Sequence, residues 1–128
     1  MNELELNALS QQVIGAAIEV HKELGPGLLE HIYQSALLYE LSLRGLRAEK
    51  EVEIPLFYKG VVLNAAYRAD IIVENEVIIE LKSTENDNPL YKKQLLSYLR
   101  LHNKKLGLLI NFNKIRLVDG IDRLVNKL

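Results

Sequence analysis

The stretch Tyr67–Lys82, YRADIIVENEVIIELK, carries the reading of the whole chain. Ile71-Ile72-Val73 and Val77-Ile78-Ile79 are apolar, β-branched runs, and the polar Glu74-Asn75-Glu76 between them supplies a turn. A three-residue loop there sets Val73 opposite Val77 and, counting outward, Asp70 opposite Glu80. Directly opposed residues share a sheet face, with Cβ atoms roughly 4.5–5.5 Å apart. Glu80 and Lys82, two residues apart, share a face as well. The hairpin therefore predicts two carboxylates and an ammonium converging beside a run that reads as buried on both sides. Two carboxylates that close in a dry place are costly unless a cation or a lysine neutralises them. That cost is the first argument for function.

Upstream, residues 8–24 have helical spacing, with Val13, Ala17, Val20 and Leu24 in one stripe and Ile14, Ile18 and His21 beside it. Gly25-Pro26-Gly27 stops that helix. A second helix is expected from about Leu28 to Arg44, with Leu29, Ile32, Tyr33, Ala36, Leu37 and Leu41 inward and Gly45 past its end. Val52, Ile54, Leu56 and Tyr58 alternate as a half-buried strand, closed by a Lys59-Gly60 turn. The next strand spans roughly 61–73 with a bend near Asn64-Ala65-Ala66, and a third runs from about 77 to 82. After the loop STENDN (83–88), Asn88 as N-cap and Pro89 at the first helical position open a helix to about His102. LGLLINF (106–112) reads as a buried strand, and the tail IRLVDGIDRLVN (115–126) as a short one. The order α-α-β-β-β-α-β defines an α/β domain with a mixed sheet flanked by helices.

At 128 residues, the chain 1–128 is expected to form a single domain with a hydrophobic core of its own. It has no run of apolar residues long enough to span a membrane, and MNELELNALS is too acidic for a signal or transit peptide. Zero cysteines exclude thiol catalysis and thiolate metal sites, and fit a cytoplasmic location. His21, His31 and His102 show no zinc-site spacing. Domains dedicated to nucleic acid are usually basic overall, whereas the formal net charge here is −1. Any grip on nucleic acid is therefore local and weak from this chain alone, so a homodimer or a protein partner is an open route to a larger binding surface.

Asp70, nine residues, then Glu80-Leu81-Lys82 resembles the motif of the PD-(D/E)XK nuclease superfamily. In the following helix QLLSY, Gln94 to Tyr98, resembles the Q-x-x-x-Y element of its RecB-like and exonuclease branches. GLLEHIY, Gly27 to Tyr33, matches G-x-x-E-x-x-Y, the signature of the bacterial GxxExxY family assigned to that superfamily. VHKELGPGLLE, YELSLRGL, RADIIV, IIELK and LLINF extend the resemblance from about Ile14 to Asn126. Two positions depart from it: Ala69 stands where the superfamily name has proline, and Asn113 where glycine is usual.

The resemblance implies a restriction-endonuclease-like core and Mg²⁺-dependent phosphodiester hydrolysis leaving a 5′-phosphate, with Mn²⁺ as a substitute. Asp70, Glu80 and the Leu81 carbonyl would hold the cation, since Mg²⁺ takes oxygen ligands and keeps several waters. The plain alternative for the two acids is a surface salt bridge with Lys82. Lys82 would position the attacking water, or else merely snorkel from a strand end. Glu30 either approaches the site or is an ordinary acid at a helix N-terminus. Gln94 would hydrogen-bond the lysine or the substrate. Tyr98, Lys93 and Arg100 are candidate substrate contacts, with Lys104 completing a stripe that is otherwise a solvated face. Arg68, of the same parity as Asp70, is a candidate phosphate clamp. Tyr33 and His21 read as core residues. A nuclease-fold module that binds nucleic acid or a partner, with little activity of its own, is the competing reading.

Overall fold

In the computed structural model, the backbone is described over residues 1–128 and the side chains over all of these except residues 64–66. Helices α1 (Glu3–Leu24) and α2 (Glu30–Leu43) precede strands β1 (Ala48–Tyr58), β2 (Val61–Val73) and β3 (Val77–Lys82). Helix α3 (Pro89–Leu101) then leads to β4 (Leu106–Asn111), a single 3₁₀ turn (Leu117–Gly120) and β5 (Ile121–Val125). The five strands lie in sequence order. All neighbours are antiparallel except β3 and β4, which run parallel because α3 carries the chain back across the sheet. The bend expected near Asn64-Ala65-Ala66 lies outside the described residues.

Each sheet face is covered by different helices. Leu6, Val13, Ala17, Tyr33, Leu37 and Leu41 from α1 and α2 bury Ile71, Val73, Val77, Ile79 and Leu81. On the other face Leu95 and Leu99 of α3 bury Ile72, Ile78 and Leu109. This explains why β3 and β4 read as unbroken apolar runs: a strand covered on both faces has no polar side to show.

Helix α1 starts five residues earlier than its periodicity predicts. Asn2 accepts the Glu5 N–H at 2.8 Å while the Glu5 side chain accepts the Asn2 N–H at 3.1 Å, a reciprocal cap that sets the true start. Ile18, Leu24, Leu29 and Ile32, expected inward, are exposed. Helix α2 ends as predicted: Gly45 at φ 74° lets its own N–H reach Ser42 O and the Leu46 N–H reach Leu41 O. Tyr33 is fully buried, stacked on Phe112, with its hydroxyl donating to Gly25 O at 2.5 Å and accepting from Leu28 N–H at 3.1 Å. It holds the turn before α2 and is the core tyrosine expected. His21 is likewise a satisfied core residue, with Nε2 2.7 Å from Lys114 O.

At the far end of β4, Asn111 pins the loop that follows Lys82. Its amide donates to Thr84 O at 3.0 Å and Asp87 Oδ1 at 3.1 Å, and its carbonyl oxygen accepts the Thr84 and Asn113 N–H groups at 3.2 and 3.0 Å. It is 4% exposed, so water cannot replace these partners. Asn111→Ala is expected to cost about 1–3 kcal/mol through unsatisfied buried groups, read as a lower denaturant midpoint with an unchanged m-value.

Candidate active site

The β2–β3 hairpin has the register expected of it: Val73 pairs with Val77, Ile72 with Ile78 and Ile71 with Ile79. Glu74 and Asn75 take left-handed conformations, at φ 53° and 54°, to make the turn. Beyond Ile71 the ladder passes to a side chain, since the Leu81 N–H donates to Asp70 Oδ2 at 2.8 Å.

At Asp70 the alternation of β2 breaks. Ile71 and Val73 face α1 and α2, yet Ala69 and Tyr67, of the same parity, pack on the α3 face. β1 does the same: Ala48 packs toward α1 and α2, whereas Val52 and Ile54 pack toward α3. The switch falls at Glu51, a non-glycine residue at φ 50°, between the pairs Lys50–Ile71 and Val52–Ala69. A reversal of faces in two neighbouring strands is a strand irregularity of the kind that re-aims side chains next to functional sites. It also corrects the placement of Arg68. Parity does not carry across the switch, and Arg68 is exposed and paired with Glu53 at 2.8 Å instead of turned to the carboxylates.

Two clefts flank the end of the hairpin. One, of about 160 Å³, is lined by Glu30, His31, Gln34, Glu51, Asp70 and Leu81. Here α2 grips the strand: Gln34 Nε2 donates to Asp70 O at 2.9 Å, and Glu30 accepts the Ser83 N–H at 3.3 Å. Glu30 and Asp70 thus line one cleft. Next to Asp70, whose charge acts on the Glu80 carboxylate, the Tyr67 hydroxyl donates to Glu80 Oε1, and the Tyr67 ring stacks on Tyr98 with centroids 3.5 Å apart. Tyr98 thus backs the ring whose hydroxyl bonds Glu80. Lys82 forms no ion pair among the described residues. Its ammonium lies 4.2 Å from the centroid of the Tyr91 ring.

The electrostatics match this crowding. Burial, and then the charge of Asp70, push the Glu80 carboxyl up to about 7, against the lowering effects of Tyr67 and Lys82. Asp70 is raised chiefly by burial, with Glu30 and Glu51 adding to it and the Leu81 N–H and Lys82 opposing. Burial and Glu80 hold the Tyr67 hydroxyl far above its usual range, so it stays a donor. Tyr67→Phe is expected to raise the Glu80 pKa further, because the bond it removes favours the carboxylate. Carbon-detected NMR titration of the Glu80 carboxyl reads this directly, and an unchanged or lower value would contradict it.

Among the described residues, no three His, Asp or Glu side chains are gathered into a metal cage. Mg²⁺ does not require one, since it binds through one or two carboxylates and keeps waters. Asp70 Oδ1 takes no hydrogen bond among the described residues, and the Glu80 carboxylate, approached by the Tyr67 hydroxyl and the Asp70 backbone N–H, still stays under-neutralised. The donor set therefore fits a hard divalent cation.

Other expected residues stay apart. Gln94 is exposed on α3 and makes no hydrogen bond among the described residues. Lys93 and Arg100 are also exposed, and Arg100 donates to Ser97 Oγ at 3.2 Å. Lys104 is not on their helix, which ends at Leu101; its ammonium caps the hairpin turn at Asn75 O, 2.7 Å away. Tyr67, Gln34, Glu51 and Tyr91 went unanticipated. Only Gln34 carried a signal, lying one turn beyond Glu30 on the same helix face.

A mixed sheet between helices, with an acid pair and a lysine at the end of its central hairpin, defines a nuclease-like α/β class. The profile of the PD-(D/E)XK nuclease superfamily matches residues 7–124, and the chain belongs to that superfamily. Among curated proteins no relative matches it. Of the solved structures, the one described as "Crystal structure of SSO0001" superposes with a TM-score of 0.56 at 28% identity, over 77% of this chain. The matched region is 51% of that chain, so this protein spans about half its length.

Proposed function

We propose that the chain is a divalent-metal-dependent phosphodiesterase acting on nucleic acid. The carrying observation is the pair Asp70 and Glu80, both shifted toward the acid form by burial, beside a Lys82 ammonium that forms no ion pair among the described residues. Bound there by Asp70, Glu80 and the Leu81 carbonyl, Mg²⁺ or Mn²⁺ would polarise a phosphate oxygen and acidify a water. Lys82 orients that water and offsets charge on the phosphate. Tyr67 fixes the Glu80 carboxylate, Gln34 fixes the Asp70 backbone, and Glu30 borders the same cleft. Membership of the GxxExxY branch, from Gly27, Glu30 and Tyr33, belongs to this reading. So do a single domain over 1–128, a cytoplasmic location and Gln94 as a hydrogen-bond partner of Lys82 or the substrate.

The test is cleavage of single- and double-stranded DNA and RNA by the purified chain at low salt, with Mn²⁺ or with EDTA. Weak, metal-dependent nicking is the expected result, because a chain of net charge −1 has little long-range attraction for a polyanion. The engagement of Arg68 by Glu53 favours a second reading, a module that needs a second copy or a protein partner to complete its phosphate contacts. Metal binding without cleavage of any substrate would select it. No helix of the described residues is long and apolar enough to cross a membrane.

A further inference from the structure

A second cavity, of about 130 Å³, opens on the α3 side of Lys82, away from the acidic cleft. Tyr91, Pro89 and Leu109 give it apolar walls, and Asn88 and Asp122 lie among its lining residues. Lys92 and Asp122 pair at 3.3 Å and are both solvent-accessible. The floor is shaped by backbone: a Cβ at Gly120 would collide with the Asn111 carbonyl oxygen and come within 2.9 Å of Lys114 Cγ. Its charges cancel, Asp87 and Asp122 standing against Lys82 and Lys92, with Asp122 paired to Lys92 and Asp87 to Lys114, so the lining holds no net charge for a phosphate or a metal. It suits a flat heteroaromatic ring with amino hydrogens at its edge.

We propose that this cavity seats a nucleobase of the substrate, stacked against Tyr91 with its exocyclic amine toward Asp122 or Asn88. The idea rests on the nuclease reading and adds to it a base subsite bordering the lysine. Lys82 lines the cavity and now covers the Tyr91 ring. A base arriving there takes over that face, and the ammonium, whose charge already acts on Asp70 and Glu80, is left to them. Substrate seating is thereby coupled to placement of Lys82. Stacking on an aromatic side chain tolerates many sequences because every base has a π-face, while the Asp122 oxygen that is not paired with Lys92 favours adenine, cytosine and guanine, which carry an exocyclic amine, over thymine and uracil.

The test uses nucleosides, which have no phosphate, and the full chain in EDTA, so that neither metal binding nor cleavage enters. Millimolar adenosine or cytidine is expected to shift the NMR signals of the Tyr91 ring and the Leu109 methyls, with thymidine shifting them less and ribose 5-phosphate not at all. The exposed Tyr39 on α2 serves as the control. Tyr91→Phe should keep the response, and Tyr91→Leu should weaken binding about 5- to 150-fold, the range that base–aromatic stacking covers. If Tyr91→Leu fails to fold, Asp122→Ala replaces it and should erase the preference for amino-bearing bases. No shift at Tyr91, an equal shift at Tyr39, or an equal response to ribose 5-phosphate would overturn the subsite. A chain that cuts nucleic acid without these shifts keeps the nuclease reading and loses the subsite. A chain that shows the shifts and cuts nothing does the reverse.

Discussion

Lys82→Ala is expected to lower metal-dependent cleavage by about 10²- to 10⁴-fold, the range of a positioned proton-transfer group. It should leave folding and metal binding intact. The half-buried Lys82 makes no ion pair among the described residues, and its ammonium lies over the Tyr91 ring, so its removal breaks no salt bridge; it withdraws only the longer-range charge felt by Asp70 and Glu80. Three readouts separate the outcomes: the nicking rate, the melting temperature without metal, and the shift of that temperature on adding Mn²⁺. Only the first should change. Cleavage that survives the substitution would belong to a contaminating nuclease. The double substitution Lys93→Glu with Arg100→Glu should instead weaken substrate binding and its salt dependence, because exposed lysines and arginines act on phosphates at range.

The second large effect is a stability that depends on pH and metal in opposite senses. Glu80, at about 7 in the folded chain against an ordinary 4.5, binds its proton more tightly when folded. Its contribution to metal-free stability is therefore fully present below about pH 4.5 and is lost as pH rises through about 7. Asp70 is shifted in the same direction. For Glu80 the loss is on the order of 3 kcal/mol. Divalent metal reverses the sign, since it binds the ionised pair and competes with the proton. A cation at ~100 times its dissociation constant adds about 2.7 kcal/mol, roughly 3–6 °C in melting temperature for a domain of this size. The metal-induced shift should grow from pH 5.5 to pH 8. Glu80→Gln should flatten the metal-free profile and abolish the shift; Asp70→Asn should abolish the shift and raise the metal-free melting point at pH 8. A wild-type melting curve indifferent to millimolar Mn²⁺ at pH 8 would remove the site.

What the sequence determined by itself is local. β-branched runs around a polar trio fix a hairpin and its register, because an error of one residue would turn every apolar side chain outward. Asn88-Pro89 starts α3, and Gly45 ends α2, each through the few residues that touch it. The candidate acids and lysine lie inside that local signal, so they were legible. Helix α1 was legible in part, because its start depends on a cap at Asn2 and not on hydrophobic period. Only the tertiary structure decided which groups meet. The face switch at Glu51 and Asp70 takes two strands to create, and no alternation within either one announces it. It freed Arg68 to pair with Glu53, brought Tyr67 to Glu80, and gave Asp70 to the cleft held by Gln34 and Glu30. Burial of the acid pair follows from packing helices on both faces of the sheet. It is burial, acting through desolvation, that raises their pKa values and makes a row of ordinary residues a candidate for chemistry.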